Sequence, residues 1–310
     1  MNVLSRVVLI ILVIIFFNYL VTSANSIYGS SYGKNSLKQC LNSGSLAHSN
    51  NIIIGTSVTR ELTHAKKTLS VMNKEYFNCG ISAPVTNLDY HYLILNLIDE
   101  KFGLEGKNIL IEHSIQGALS DTIVSSKSFT SYLDVAPLRT KIFWIRVLFI
   151  GNEWGNINIK NLSSLVLSIL IPSAGLRNLS LKPELLERKN NYLDHVFDPS
   201  NSRADHEAIF QKEFDRNLSN FRAKEIMAFA REKGAVVSFL IPPSNSFYTG
   251  KISDDVSHQL SVFFDSNIMK KRSVDLRSFD SMDFFADCCH FNKKGQEVIE
   301  ASDLRFEVNE

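Results

Sequence analysis

The sequence predicts an α/β fold, a three-layer α/β/α sandwich in which helices cover both faces of a mostly parallel β-sheet. Two observations carry this prediction. Short apolar runs that are typical of buried strands alternate with longer segments of helical periodicity. Each run is nearly continuously apolar, which indicates that neither face of the sheet meets solvent. The composition agrees, because 45% hydrophobic and 21% charged residues are ordinary for a globular protein and exclude disordered or fibrous classes.

Five strands are predicted, and each is a short, largely apolar segment. In chain order they cover residues 51–55, 75–79, 108–112, 235–241 and the end of 267–274. Pro242 and Pro243 end the fourth strand, because proline cannot donate to a sheet ladder. The carboxyl ends of parallel strands meet at one edge of a sheet, so the loops after the first four strands should converge there.

Four helical segments follow or separate these strands. One opens at Thr56, and the others cover residues 87–100, 214–233 and 292–301. The segment 214–233 has the clearest pattern, because its apolar side chains share one broad face and Gly234 is a natural stop.

The first 24 residues predict a membrane anchor or a signal peptide. Arg6 precedes an unbroken apolar run over 7–17. Asn18 and Tyr19 interrupt this run, Leu20 and Val21 resume it, and the next charge is Lys34. The run lies between the length of a signal-peptide core and that of a membrane span, so an uncleaved anchor and a cleaved signal both stay open, beside a buried core helix. With export, Arg6 stays on the cytoplasmic side and the rest faces the periplasm or the cell exterior, anchored or secreted. Abundant Asn, Ile and Lys favour a bacterial source.

The part after this segment is predicted to hold one domain with an insertion. Residues 25–48 are rich in Ser, Asn and Gly and are interpreted as a linker. The domain covers 49–310. Its alternation of predicted strands and helices is interrupted at about 128–200, where apolar runs occupy 142–150 and 162–171. We interpret the insertion as a helical subdomain or, alternatively, as a lid or membrane-surface patch.

Charge and cysteine content exclude some functions. The chain has 33 Lys+Arg and 32 Asp+Glu, a net charge of +1, which argues against a nucleic-acid binder. An oxidising compartment would permit disulfides among the four cysteines, although adjacent Cys288 and Cys289 are not expected to pair easily. We predict no metal site, because no second Cys/His pair with ligand spacing accompanies Cys288-Cys289-His290.

Gly55-Thr56-Ser57 lies where the first predicted strand turns into a helix. A serine on such a turn is well placed for a nucleophile, and its N–H, at the start of a helix, is available to an anion. The glycine permits close backbone approach. The same pattern also suits an ordinary helix N-cap, so it does not assign a nucleophile by itself.

Asp287 and His290 form a second candidate pair near the end of the chain. A serine nucleophile needs a general base, and histidine titrates near neutral pH. The histidine in turn needs a carboxylate to fix its tautomer, and the i, i+3 spacing lets the Asp287 side chain meet the imidazole Nδ1. Asn292 would cap the following helix. The alternative is an exposed turn with a surface histidine.

Together these segments resemble the SGNH, or GDSL-type, hydrolase superfamily over about 50–125 and 210–302. The chain has Gly-x-Ser after the first strand, Asn-x-Gly-Ile-Ser after the second and Asp-x-x-His-x-Asn-x-x-Gly before the last helix. The resemblance implies a flavodoxin-like fold with Ser57 as nucleophile and with Asp287 and His290 completing the triad. It also implies an oxyanion hole formed by the backbone N–H groups of Ser57 and Ala83.

The chain departs from the family pattern in three places. The first block reads Gly-Thr-Ser instead of Gly-Asp-Ser, and Ala83 stands where the second block has Gly. The loop after the third strand, 112–116, reads Glu-His-Ser-Ile-Gln and lacks the family's Asn donor. Ser114 and Gln116 are the candidates to replace that donor, whose loss would cost roughly 3–4 kcal/mol of transition-state stabilisation.

The resemblance implies an exported serine esterase or O-acyltransferase. Gly-Thr-Ser-x-Thr-Arg and Pro242-Pro243 are similar to members that modify bacterial surface polymers, such as alginate O-acetylation proteins and the D-alanyl transfer protein for teichoic acid. Arg60 is either a solvated side chain or a substrate-binding residue for an anionic group. The expected partners are a polysaccharide or acyl donor, the cytoplasmic membrane and a membrane acyl-transfer protein, with no cofactor and no nucleic acid.

Two other functions stay open at this point. One is a lipid esterase or thioesterase that uses the apolar residues 142–171 as an acyl-chain cover. The other is a catalytically silent scaffold of the same fold in a polymer-modification complex.

Overall fold

The computed structural model describes Leu37, 40–62, 68–71, 74–80, 88–119, 194–270, 273–302 and Leu304. The chain divides into two compact units, Met1–Lys34 with Thr122–Lys182 and Asn35–Asp121 with Pro183–Glu310, and all described residues belong to the second. The predicted anchor, 1–24, and most of the predicted insertion, 128–200, lie outside the described residues.

Within the described ranges, we find no helix that is both long and apolar enough to cross a membrane.

A six-stranded, mostly parallel sheet forms the centre of this unit, in the order β2-β3-β1-β4-β5-β6. The strands are β1 (Asn51–Gly55), β2 (Thr68–Val71), β3 (Lys74–Gly80), β4 (Asn108–Glu112), β5 (Val236–Ile241) and β6 (Ser273–Asp275). The pairs β1/β3, β1/β4, β4/β5 and β5/β6 are parallel, and β2 pairs antiparallel with β3. The predicted α/β class with a mostly parallel sheet is therefore confirmed.

Helices connect and flank these strands. Among the described residues they are α1 (Gly44–His48), α2 (Ser57–Glu61), α3 (Leu88–Phe102), α4 (Ile115–Ala118), α5 (Ala204–Phe210), α6 (Arg216–Glu232), α7 (Ser246–Thr249), α8 (Asp254–Phe264), α9 (Asn267–Lys270) and α10 (Lys293–Ala301). Gly234 follows α6 with φ 73°, the left-handed conformation that glycine adopts most readily after a helix.

The strand register brings the ends of β1, β3 and β4 to the same edge of the sheet. Gly55 lies beside Gly80, and Ile54 lies beside Ile111, so the next residue of β4, Glu112, is at the edge that carries the turn into α2. A side chain at Gly55 would overlap Thr59 and Glu112, which explains the glycine at this close approach.

The strand predictions agree with the structure except for β2, the outermost strand of the sheet beside β3. Strand β2 was not predicted, because it is four residues long, lies at the sheet edge and pairs only with its sequence neighbour β3. The end of the segment predicted as a linker, 25–48, carries α1, and the side chains of Leu37, Cys40 and Leu46 are buried.

Two disulfides are formed. One joins Cys40 to Cys79, across a sequence separation of 39. The other joins the neighbouring residues Cys288 and Cys289, so the expectation that these two do not pair was wrong. Their Cα atoms are 3.8 Å apart, the spacing of any two consecutive residues across a trans peptide, and both side chains are buried.

Replacing both Cys40 and Cys79 by serine should lower the free energy of unfolding by about 4 kcal/mol, because the disulfide closes a long loop in the unfolded chain. Urea unfolding measures this loss. The matched control is the Cys288→Ser/Cys289→Ser variant, whose disulfide closes no long loop and which should lose less. Equal losses in the two variants would contradict the entropic explanation.

Candidate active site

The turn after β1 presents Ser57 at the first position of α2. Thr56 is the N-cap, and its hydroxyl accepts a hydrogen bond from the N–H of Val58 at 3.2 Å. The N–H of a residue at this position has no acceptor within its own helix, so the Ser57 N–H is available to a ligand. The serine is only partly buried, so its hydroxyl remains reachable.

Ser57, His290 and Asp287 form a continuous hydrogen-bonded relay. The Ser57 Oγ lies 2.8 Å from His290 Nε2. The opposite ring nitrogen, Nδ1, lies 2.9 and 3.0 Å from the two carboxylate oxygens of Asp287. The structure thus brings together the three predicted triad residues in the geometry that a nucleophile, a base and an orienting carboxylate require.

The loop before α10 holds the carboxylate of Asp287 in place. Its Oδ1 accepts hydrogen bonds from the backbone N–H groups of Cys289 and His290, each at 2.9 Å. The buried Asn245 supports the same loop: its amide donates to the Asp287 carbonyl at 3.1 Å, and its N–H donates to the Cys288 carbonyl at 3.0 Å. Asp287 is therefore oriented from its own loop and from the segment after β5.

Asn292 caps α10, as predicted. Its side-chain oxygen accepts a hydrogen bond from the N–H of Gly295 at 3.0 Å, and its amide donates to the carbonyls of Asp283 and Phe285. A Cβ on Gly295 would collide with the carbonyl of Phe284. The Asn-x-x-Gly part of the motif therefore fixes the loop against the helix that follows it.

The imidazole of His290 favours its protonated form. Burial lowers its pKa, but the negative charges of Asp287 and Glu61 and the hydrogen bond with Asp287 outweigh burial and raise the pKa of His290 to about 9. Arg60 acts in the opposite direction. Only the neutral imidazole can accept a proton from Ser57. The neutral fraction of His290 increases as the pH rises towards about 9, the pKa of the imidazole.

Replacing Glu61 by glutamine should lower the pKa of His290, so that fluorophosphonate labelling of Ser57 rises at lower pH than in the unaltered protein. Ser57 and Glu61 are i and i+4 on α2 and share one helix face, and the Glu61 charge helps to hold the proton on His290. Labelling of Ser57 by a fluorophosphonate at pH 7 should accelerate about threefold, because more of the imidazole is neutral. The control is Glu75→Gln on the exposed part of β3, and an unchanged limb in Glu61→Gln would contradict the assignment.

Glu112 is a site residue that the sequence argument did not assign. Its fully buried carboxylate accepts hydrogen bonds from the N–H of Thr56 at 2.7 Å, from the Thr56 hydroxyl at 2.9 Å and from both the N–H and the hydroxyl of Thr59. Burial raises the pKa of Glu112, and these hydrogen bonds oppose the rise. The sequence does contain one sign of this role, because Glu112 is an acidic residue at the end of a strand whose centre is apolar and buried.

The end of β3 holds α2 from a second side. The Asn78 amide donates to the carbonyl of Thr59 at 2.8 Å, while its oxygen accepts from the N–H of Gly80 at 2.8 Å. A Cβ on Gly80 would meet the backbone of Arg60 at 2.7 Å, so glycine allows this close approach. The turn that carries Ser57 is therefore held by β3 and β4 together.

The remaining predicted residues have different outcomes. Arg60 keeps 36% of its side chain exposed, so it stays a candidate for binding an anionic group, which would compete with the Glu61 carboxylate that pairs with Arg60 at 3.3 Å. Ala83 lies outside the described residues. Ser114 is the N-cap of α4, where its hydroxyl accepts from the N–H of Gly117 at 2.9 Å, which assigns it a local role.

No protein-family model matches the chain, and no curated protein matches it.

Proposed function

We propose that this protein is an exported serine esterase or O-acyltransferase of the SGNH type, acting on acyl groups such as acetyl on a cell-surface or secreted polysaccharide. The observation that carries the proposal is the relay Ser57–His290–Asp287, with neighbouring atoms 2.8 and 2.9 Å apart. A structural serine does not need a histidine that is itself oriented by a buried carboxylate. A nucleophilic serine does.

The relay supports acyl transfer in two steps. Neutral His290 takes the Ser57 proton as Oγ attacks the acyl carbon, and Asp287 stabilises the imidazolium that forms. His290 then donates this proton to the departing alcohol, which leaves an acyl-serine. Water or a sugar hydroxyl then gives its proton to His290 and attacks the acyl carbon. The bond between the acyl carbon and Ser57 Oγ breaks, His290 returns the proton to Oγ, and the acid or acylated sugar leaves. The N–H groups of Ser57 and Ala83 are the proposed oxyanion donors.

The places of the three triad residues relative to the strands and helices also support the SGNH type. In the proposed three-layer α/β/α domain, the nucleophile follows a central strand and the Asp–His loop precedes the last helix. Ser57 directly follows β1, which lies between β3 and β4, and Asp287 and His290 precede α10. The polysaccharide substrate and the anchored, exported location rest on the resemblance of the sequence motifs and on the apolar segment 7–17.

Fluorophosphonate labelling of the full chain in detergent micelles tests the proposed chemistry. Mass spectrometry of the digested protein should place the adduct on Ser57, and Ser57→Ala should abolish labelling. The matched control is Ser253→Ala, which removes the N-cap serine of α8 and should label like the unaltered protein. A folded protein that does not label would favour the silent scaffold.

Acyl esters of increasing chain length then test the substrate class. Preference for acetyl esters, with acetate released from or transferred to a polysaccharide, supports the proposed function. Preference for long-chain esters would instead favour the lipid esterase or thioesterase.

A further inference from the structure

A group of metal-ligating side chains lies directly beside the triad. Among the described residues, His206, Asp287 and Cys288 form the one set of three His, Cys, Asp or Glu side chains whose ligand atoms converge, all within 4.8 Å of one another. His206 comes from α5, whereas Asp287 and Cys288 come from the loop before α10. Asp287 and Cys288 are buried, so the group differs from an ordinary acidic cluster on the surface.

The three donors suit zinc. Imidazole nitrogen, carboxylate oxygen and thiolate sulfur are all zinc ligands, and three protein ligands leave a fourth position for water. Softer donors such as thiolate select Zn²⁺ over Mg²⁺ or Ca²⁺. The sequence could not indicate this site, because His206 is remote from Cys288-Cys289-His290 along the chain.

The oxidation state of the neighbouring cysteines controls this site. Cys288 is joined to Cys289 in a disulfide, so its sulfur cannot act as a thiolate ligand. A dithiol reductant would transfer two electrons and two protons to the disulfide, giving two thiols while the dithiol itself becomes a disulfide. Metal binding would then displace the proton of the Cys288 thiol to solvent.

We propose that reduction of the Cys288–Cys289 disulfide by a dithiol opens a zinc site formed by His206, Asp287 and Cys288, and that zinc bound there switches off the triad. The metal site stands on the geometry alone, whereas the switching rests on the proposed function. An Asp287 carboxylate that is bound to zinc no longer orients His290 or stabilises its cation. Acylation of Ser57 therefore falls when the metal binds.

Cobalt(II) provides a direct test, because a thiolate ligand gives Co²⁺ a charge-transfer band in the near ultraviolet. The full chain is reduced with dithiothreitol, freed of reductant by gel filtration without oxygen and titrated with Co²⁺ and then Zn²⁺. The band should appear only after reduction and disappear as Zn²⁺ replaces Co²⁺. Its absence from reduced, folded protein would overturn the metal site.

The two neighbouring cysteines give a matched pair of variants. Cys289→Ser leaves Cys288 without its disulfide partner and should bind Co²⁺ without any reductant, which also avoids the need to reduce a buried bond. Cys288→Ser should give no thiolate band in either state, and His206→Gln should weaken binding at least tenfold. A band of equal strength in Cys288→Ser would overturn the assignment of the sulfur ligand.

Labelling of Ser57 tests the switch separately. Zn²⁺ should slow fluorophosphonate labelling of reduced protein at least tenfold, EDTA should restore it, and His206→Gln should label at the same rate with and without Zn²⁺. Metal binding with unchanged labelling would overturn the switch but not the site. Metal binding to a protein that never labels would instead count against the proposed acyl-transfer function.

Discussion

Asp287→Asn should slow fluorophosphonate labelling of Ser57 by about 10³- to 10⁴-fold while leaving the protein folded. The carboxylate accepts from His290 Nδ1, which leaves Nε2 free to accept the proton of Ser57. An asparagine amide at the same place donates to Nδ1 and moves the ring proton to Nε2. Nε2 then faces Ser57 with a hydrogen already bound, so the base function is lost.

Asp283→Asn is the matched control for this variant. Asp283 lies four residues earlier, exposes 65% of its side chain and pairs with Lys294 at 3.2 Å. An exposed pair of this kind contributes at most about 1 kcal/mol, so the control should label at the normal rate. If Asp287→Asn labels within threefold of the unaltered protein and its urea unfolding is normal, Asp287 does not orient the base.

Glu112→Ala should destabilise the fold by about 3 kcal/mol and also slow labelling of Ser57. The Thr56 N–H, the Thr56 hydroxyl and the Thr59 hydroxyl all donate to the Glu112 carboxylate in a buried setting. Each buried donor that loses its acceptor costs roughly 1–3 kcal/mol, and the smaller side chain offers none. The turn that presents Ser57 loses its order, so acylation should fall more than stability alone explains.

The control for this change is Glu75→Ala, the same substitution on the exposed part of β3, for which a change within about 0.5 kcal/mol in the free energy of unfolding is expected.

The Glu112→Gln variant separates the effect of the charge from the effect of the side-chain shape. Because burial raises the pKa of Glu112 in the folded protein, the native state holds this proton more tightly than the unfolded chain. Stability should therefore decline as pH rises from the ordinary carboxyl range through the raised pKa.

Glu112→Gln should remove this part of the pH dependence. Urea unfolding between pH 4 and pH 8 measures it, with the unaltered protein as reference. If the free energy of unfolding depended on pH in the same way for the two proteins, Glu112 would have the same proton affinity in the folded and the unfolded state.

Local sequence patterns were sufficient to predict the parallel strands and the motif residues. The role of Glu112 depends instead on contacts between residues that are distant along the chain. Asn51–Gly55 and Asn108–Glu112 were predicted with their observed bounds, because each has an unbroken apolar centre of three residues. The role of Glu112 depends on its pairing with a turn more than fifty residues earlier, which a single sequence does not indicate. The Cys288–Cys289 disulfide was missed for a different reason, since the spacing of adjacent cysteines argued against it.

The wide separation of the three triad residues along the chain would also determine when the proposed activity can arise. Ser57 and His290 are 233 residues apart, and the carboxylate belongs to the later segment. A nascent or truncated chain that stops before Asp287 carries Ser57 without His290, so we expect a fluorophosphonate not to label such a fragment. Contacts of such long range form late in folding, because loop closure must precede them. During synthesis, the proposed activity can therefore arise only after Asp287 and His290 have been added and have packed against the turn that carries Ser57.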